Sequence, residues 1–288
     1  MAVAAWAVAA SVGAAPSASK HVQVELVPEV ESIRPGQPFN VGLLLRMDPE
    51  WHTYWKNPGD SGLPTRLTWT LPEGFTAGPI AWPFPGTFTQ GPVTSFGYAG
   101  EVLLAVAITP PPSIAVGTSV TLAARADWLE CRDVCLPGRR DLSLVLPVRS
   151  DAPRASAQWA PTFAAARARV PGPATGWKFE VRETADRIVL DMHPPRTQLP
   201  IRGAYFFPDR GQVVDHAAPQ AFSHVVASYR LEMTPAPNAA RPLPALEGVL
   251  LTNGPSGTRA IRVDAKSAGA GGQTRDGSPR PPSAKEKR

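Results

Sequence analysis

The sequence predicts an all-β protein built as two β-sandwich domains, and three observations lead there. Proline occurs 34 times in 288 residues, more than twice its average share of about 5%, which argues against long helices and for short strands joined by turns. Apolar and polar residues alternate in short runs broken by Pro/Gly clusters, the pattern of half-buried strands. One alanine-rich stretch near the middle interrupts that rhythm and divides the chain. Two domains with separate cores fit in 288 residues, so folding needs no framework of disulfides.

Residues 1–20 read as a signal-like leader. They are small and apolar, and Val12-Gly13-Ala14-Ala15 resembles the small-residue end of a secretory signal, with no Lys or Arg ahead of the apolar stretch. His21 to Val27 alternates as a half-buried strand does, and Pro35-Gly36-Gln37-Pro38 turns the chain into a second strand, Phe39 to Arg46. Further strands are expected at Arg66 to Thr70, Glu101 to Thr109, Ser119 to Leu129 and Asp141 to Val148, with breaks at Pro110-Pro111-Pro112 and Pro137-Gly138. These make a first domain over 21–150. Residues 151–176 are the linker, with one helix expected between Ala155 and Val170, bounded by Pro153 and Pro171-Gly172-Pro173 and read as a connector. A second, smaller domain covers 177–265. Its strands are expected at Trp177 to Glu183, Arg187 to Met192, Ala204 to Phe207, Val225 to Glu232, Leu246 to Leu251 and Thr258 to Val263. Residues 266–288 hold Gly, Ser, Pro and charge with almost no large apolar residue, the composition of a disordered tail.

Charge excludes one class of function. The tail carries six basic and two acidic residues, so +4 of the +5 net charge lies there and the folded part is nearly neutral. It has no basic stripe interleaved with aromatics, and nucleic acid is therefore not an expected partner. No run of about 18 apolar residues occurs either, so the chain is expected not to span a membrane.

The two cysteines carry the functional signal. They stand in Trp128-Leu129-Glu130-Cys131-Arg132-Asp133-Val134-Cys135-Leu136-Pro137-Gly138. If Arg132-Asp133-Val134 is a three-residue hairpin connection, Cys131 and Cys135 oppose each other across the strands, about 4.5–5.5 Å apart at Cα, and a disulfide fits that spacing. So short a ring contributes only about 2 kcal/mol of loop-closure stabilisation. A weak staple in an exposed turn is suited to being opened and closed as chemistry. An inert structural disulfide remains the alternative.

Further motifs accompany the pair: Trp51-His52-Thr53-Tyr54-Trp55-Lys56-Asn57-Pro58-Gly59-Asp60-Ser61-Gly62, then Ile80-Ala81-Trp82-Pro83-Phe84-Pro85, then Phe96-Gly97-Tyr98, ahead of Trp128-Leu129-Glu130-Cys131 and Cys135-Leu136-Pro137. In this order they resemble the periplasmic N-terminal region of the DsbD-like protein-disulfide reductases, nearest the ScsB branch linked to copper tolerance, over roughly residues 21–265. The resemblance implies immunoglobulin-like sandwiches in the periplasm. It also implies that Cys131 and Cys135 are the redox pair, with Cys135 the one attacked. Electrons would come from a membrane-embedded DsbD/ScsB-type donor and go to oxidised periplasmic thioredoxin-like proteins. Family members usually continue into a transmembrane and a thioredoxin-like domain, so a separate membrane partner or a longer reading frame is expected.

Around the pair, Arg132, Arg139 and Arg140 would lower a thiol pKa while Glu130 and Asp133 would raise it, and the sequence leaves that balance open. Trp51, Tyr54, Trp55, Trp69, Trp82 and Trp128 read as core packing. Phe84, Phe88, Phe96 and Tyr98 are read as lying in Pro/Gly-rich loops and are the candidates for a hydrophobic cap over the cysteines. The rival reading is a non-enzymatic periplasmic binding protein or copper chaperone with Cys131 and Cys135 as ligands. His52 beside them would complete a copper or zinc site, yet no second nearby His or CxxC supports one, and no cofactor is expected. Asp186 and Asp191 read as solvated, and the second domain as a docking or spacing module.

Overall fold

The computed structural model of the chain describes residues 19–226, 228–255 and 257–267. The leader and tail expected at 1–20 and 266–288 lie almost wholly outside the described residues. Strand is the dominant regular structure of the described chain, as the proline content and alternation predict.

The first half runs through β1 (Val22–Pro28), β2 (Phe39–Met47), β3 (His52–Gly59), β4 (Arg66–Thr70), β5 (Thr76–Ala81), β6 (Gly86–Gln90), β7 (Val93–Ala99) and β8 (Glu101–Thr109). It closes with two long strands, β9 (Ser119–Cys131) and β10 (Cys135–Pro147). One antiparallel sheet has the order β1-β2-β8-β5, and the other the order β10-β9-β3-β7-β6 with β4 also paired to β9. Leu43, Leu45 and Leu104 from the first sheet meet Trp55, Phe96, Leu122 and Trp128 from the second in one core. The strand period of two places these side chains inward.

Several elements differ from the sequence reading. The segment around Phe88 and Phe96 is a β6–β7 hairpin rather than loop, with Gly91 (φ +59) at its turn. β10 runs straight through Pro137-Gly138. It is an edge strand, where the missing proline N–H removes no necessary ladder bond. Trp128 explains the glycine: its indole lies across Gly138, where a Cβ would sit 2.2 Å from the ring.

The third difference is the linker helix, α1 (Ala160–Arg169), which carries Pro161 in its first turn and ends where Val170 becomes extended before Pro171. It is more than a connector. Phe163 and Ala166 pack onto Val27, Leu44 and Leu103, covering the outer face of the first sheet. That explains the unbroken Leu43-Leu44-Leu45 run in β2, since a strand buried on both faces loses its alternation.

The second half comprises β11 (Lys178–Glu183), β12 (Ile188–His193), β13 (Gly203–Pro208), β14 (Ala221–Val225), β15 (Ser228–Met233), β16 (Ala245–Gly254) and β17 (Gly257–Lys266). They form sheets of order β11-β12-β15-β14 and β13-β16-β17 around a core that includes Leu190, Phe206, Leu231, Leu250 and Val263. The single strand expected from Val225 to Glu232 is instead a hairpin that turns after Val225. Asp191 also corrects the sequence reading. It is 6% exposed, gripped by Arg230 (2.7 Å) across the β12–β15 pair and by Arg182 from β11, whereas Asp186 is exposed as expected.

The two halves share packing. Phe207 and Val249 belong to the first core, with Phe207 edge-on to Phe96 (5.0 Å) and Trp55 (6.2 Å). Polar contacts flank this seam. Asn57 Nδ2 donates to the Pro208 carbonyl (2.8 Å), Lys56 meets Asp209 (2.6 Å), and His216 meets Asp60 (2.7 Å).

Candidate functional site: a cross-strand cystine

β9 and β10 pair in a register that sets Cys131 opposite Cys135, joined through Arg132-Asp133-Val134, with Arg132 N–H donating to the Val134 carbonyl. The cysteines form a disulfide with Cα atoms 4.2 Å apart. The hairpin register read from their spacing is the one observed, with the Cα atoms slightly closer than expected.

The two sulfurs sit in different surroundings. Cys131 is 2% exposed, whereas Cys135 is exposed at the start of the edge strand. Above Cys131 lies Tyr54, whose hydroxyl donates to Cys131 Sγ at 2.8 Å and lies 3.5 Å from Cys135 Sγ. Burial raises the Tyr54 phenol above its ordinary pKa, opposed by the nearby Ser61 and Ser95 hydroxyls, so it stays protonated and able to donate at neutral pH.

Strand alternation puts Tyr54 there. In β3, Thr53 and Trp55 face one way while His52 and Tyr54 face the other, and His52 pairs in register with Cys131. The His52 ring stacks on Phe88 at 4.4 Å and meets Tyr54 edge-on at 5.3 Å. Gly97 pairs with both Tyr54 and Gly86, leaving no side chain there between Phe88 and His52. Burial lowers the His52 pKa, which keeps the imidazole neutral at pH 7.

Of the four cap candidates, Phe88 alone reaches this cluster. Phe96 is fully buried against Phe207, and Tyr98 is buried with its hydroxyl donating to the Pro83 carbonyl (2.6 Å). Phe84 is half-buried beneath the Arg169 guanidinium (4.9 Å). The cause is the period of β7, which turns Phe96 and Tyr98 into the core. Tyr54, which the sequence reading assigned to the core, is the residue it missed. Its signal was there in His52-Thr53-Tyr54-Trp55, where alternation cannot send both Tyr54 and Trp55 inward.

The flanking charges are largely committed elsewhere. Arg132 pairs with Asp133 (2.9 Å) and lies over Trp51, and Arg139 pairs with Asp127 (2.6 Å). Glu130 is wholly buried, accepting from Ser19 Oγ (2.5 Å), Trp128 Nε1 (3.2 Å) and the Lys20 N–H (3.3 Å). Among the described residues, no group of three or more His, Cys, Asp or Glu side chains is placed to hold a metal.

A β-sandwich carrying a half-exposed cystine at the end of an edge hairpin defines the class of site. Residues 22–147 match the family model of the N-terminal domain of the thiol:disulfide interchange protein DsbD, and this part of the chain is a DsbD-like N-terminal domain. The fold resembles the N-terminal periplasmic domain of ScsB from Proteus mirabilis, with TM-score 0.61 and 16% identity over 86% of this chain and 94% of that one. A major pilin subunit of Bacillus cereus (TM-score 0.27, 10% identity, 85% of this chain and 65% of that one) overlaps too poorly to carry an argument. No curated protein matches the chain.

Proposed function

We propose that the chain is a periplasmic thiol-disulfide exchange module, a relay domain of the protein-disulfide reductase type acting through Cys131 and Cys135. The observation that carries this reading is the asymmetry of the cystine: one sulfur exposed, the other buried under a hydroxyl donor. A donor thiolate attacks Cys135 Sγ in line with the S–S bond. The bond to Cys131 breaks, and its electron pair leaves on Cys131 Sγ, where the Tyr54 O–H receives the developing charge. A second donor thiol then attacks the mixed disulfide, so two electrons and two protons end on the pair and the donor becomes the disulfide. In the forward step the Cys135 thiolate attacks an oxidised partner and Cys131 resolves the product.

The electron donor in this reading is a membrane-embedded protein of the DsbD/ScsB type, and the acceptors are oxidised thioredoxin-like proteins. The family match of residues 22–147 supports this choice of partners. No described helix is long and apolar enough to cross a membrane, so the donor's membrane spans are assigned to another segment or chain. The stack of Phe88 on His52 supports a shielding role for this one member of the expected cap.

Single-cysteine variants test the assignment. Cys131→Ser leaves the exposed Cys135 thiol and should form mixed disulfides rapidly with a small disulfide reagent and with a thioredoxin-like partner. Cys135→Ser should react at least about tenfold more slowly, since access governs exchange. Equal rates, or faster capture by Cys131, would overturn the assignment.

A further inference from the structure

The second domain contains no cysteine, yet one of its side chains reaches the loop that covers the site. His216, with its side chain 4% exposed, lies between the loop Gly59–Leu63 and the aromatic seam, 4.8 Å edge-on to Phe96. Its Nδ1 is 2.7 Å from Asp60 Oδ1, and its Nε2 is buried without a partner. A carboxylate oxygen only accepts here, so Nδ1 carries the proton and the imidazole donates to Asp60. The other Asp60 oxygen accepts the Thr94 N–H (2.8 Å), and the Asp60 N–H donates to the Thr94 carbonyl (3.0 Å). Asp60 is thereby held on three sides.

The same loop touches Tyr54. Gly62 has φ +104, and a Cβ there would fall 2.2 Å from the Tyr54 ring, so the Gly62 backbone lies directly on the phenol. Ser61, between Asp60 and Gly62, lies 3.1 Å from Ser95 Oγ. Gly59, at φ +84, is pressed on the Thr94 carbonyl, 2.5 Å from where its Cβ would stand. The loop is a tight clamp with His216 at one end and the Tyr54 ring at the other.

We propose that His216 is a positioning residue for the cystine: by holding Asp60 it seats the Gly59–Leu63 loop on Tyr54 and keeps the Tyr54 hydroxyl on Cys131 Sγ. This gives the second domain a part in the chemistry beyond docking or spacing, and it rests on the exchange reading only for its consequence, not for the contact itself. Removing the imidazole frees Asp60, loosens the loop, and lets the phenol swing from the sulfur. The Cys131 thiolate then loses a donor, its pKa rises, and it becomes a poorer leaving group.

The test is a double-mutant cycle in the full chain between His216→Ala and Tyr54→Phe, read by the pH titration of the reduced thiols and by the rate of disulfide opening with dithiothreitol. In the Tyr54 background, His216→Ala should weaken thiolate formation and slow opening about three- to tenfold; in the Tyr54→Phe background it should change neither by more than about twofold. His216→Asn, which keeps a donor near the Nδ1 position, should restore most of the loss and guards against a variant that merely folds poorly. Equal effects in both backgrounds, or none in the first, would overturn the proposal. A pair that titrates as expected but never exchanges with protein partners would instead overturn the exchange reading and leave the positioning intact.

Discussion

At Cys131 and Tyr54 the chemistry reduces to one contact of 2.8 Å. A hydrogen bond to a charged group contributes about 1.5–3 kcal/mol, and about 1.4 kcal/mol is a factor of ten, so Tyr54→Phe should slow opening of the disulfide at least about tenfold while leaving the fold intact. Stopped-flow reduction by a dithiol measures it; an unchanged rate would remove the tyrosine from the mechanism. The cysteine geometry was legible because a three-residue connection between two strand-like runs leaves one register. Tyr54 was not, because aromatics in a tryptophan-rich segment read as core until strand alternation is applied to each in turn. Phe96 failed in the opposite direction: glycines beside it suggested a loop, whereas Gly86 and Gly97 lie in paired strands that turn Phe96 inward.

Among the elements, β11, β12 and β15 share a clamp in which Asp191 is held by Arg230 and Arg182. Burial alone would raise the Asp191 pKa, but the hydrogen bonds and charges of the two guanidiniums outweigh it and hold the carboxyl below 3.8. Its folded-state pKa therefore lies below the unfolded one. The stabilisation is fully present above the unfolded value and is lost as pH falls from about 4 through the folded value. Asp191→Asn should remove that part of the acid dependence, visible as a flatter fall of urea-unfolding stability between about pH 4 and pH 2 than in the parent protein; parallel curves would contradict it. The helix α1 offers a second check. Phe163→Ala empties the packing over Leu44 and Leu103 and should cost about 3 kcal/mol or more in urea unfolding. A loss near zero would restore the view of this helix as a mere connector, which is all that its bounding prolines and alanine content suggested from sequence.

For the whole molecule, the boundaries read from sequence separate two domains, while the packing of Phe207 on Phe96 and Trp55 ties them. No local pattern could reveal this, because Phe207 sits in an ordinary strand run and its partners lie more than 100 residues earlier in the chain. Phe207→Ala should cost about 3–5 kcal/mol. The loss should fall on the transition reported by the first core's tryptophans as well as on that of the second half. A first core that melts unchanged would show the halves to be independent.

The central claim is that the cystine is working chemistry rather than a staple. Its reduction potential, measured by equilibrating the intact protein with glutathione buffers and quantifying the Cys131–Cys135 bond by thiol alkylation, tests that claim most directly. An exchange site should equilibrate at a potential well above about −300 mV, within reach of cellular dithiols. A value below about −300 mV, the range of inert structural disulfides, would contradict the account.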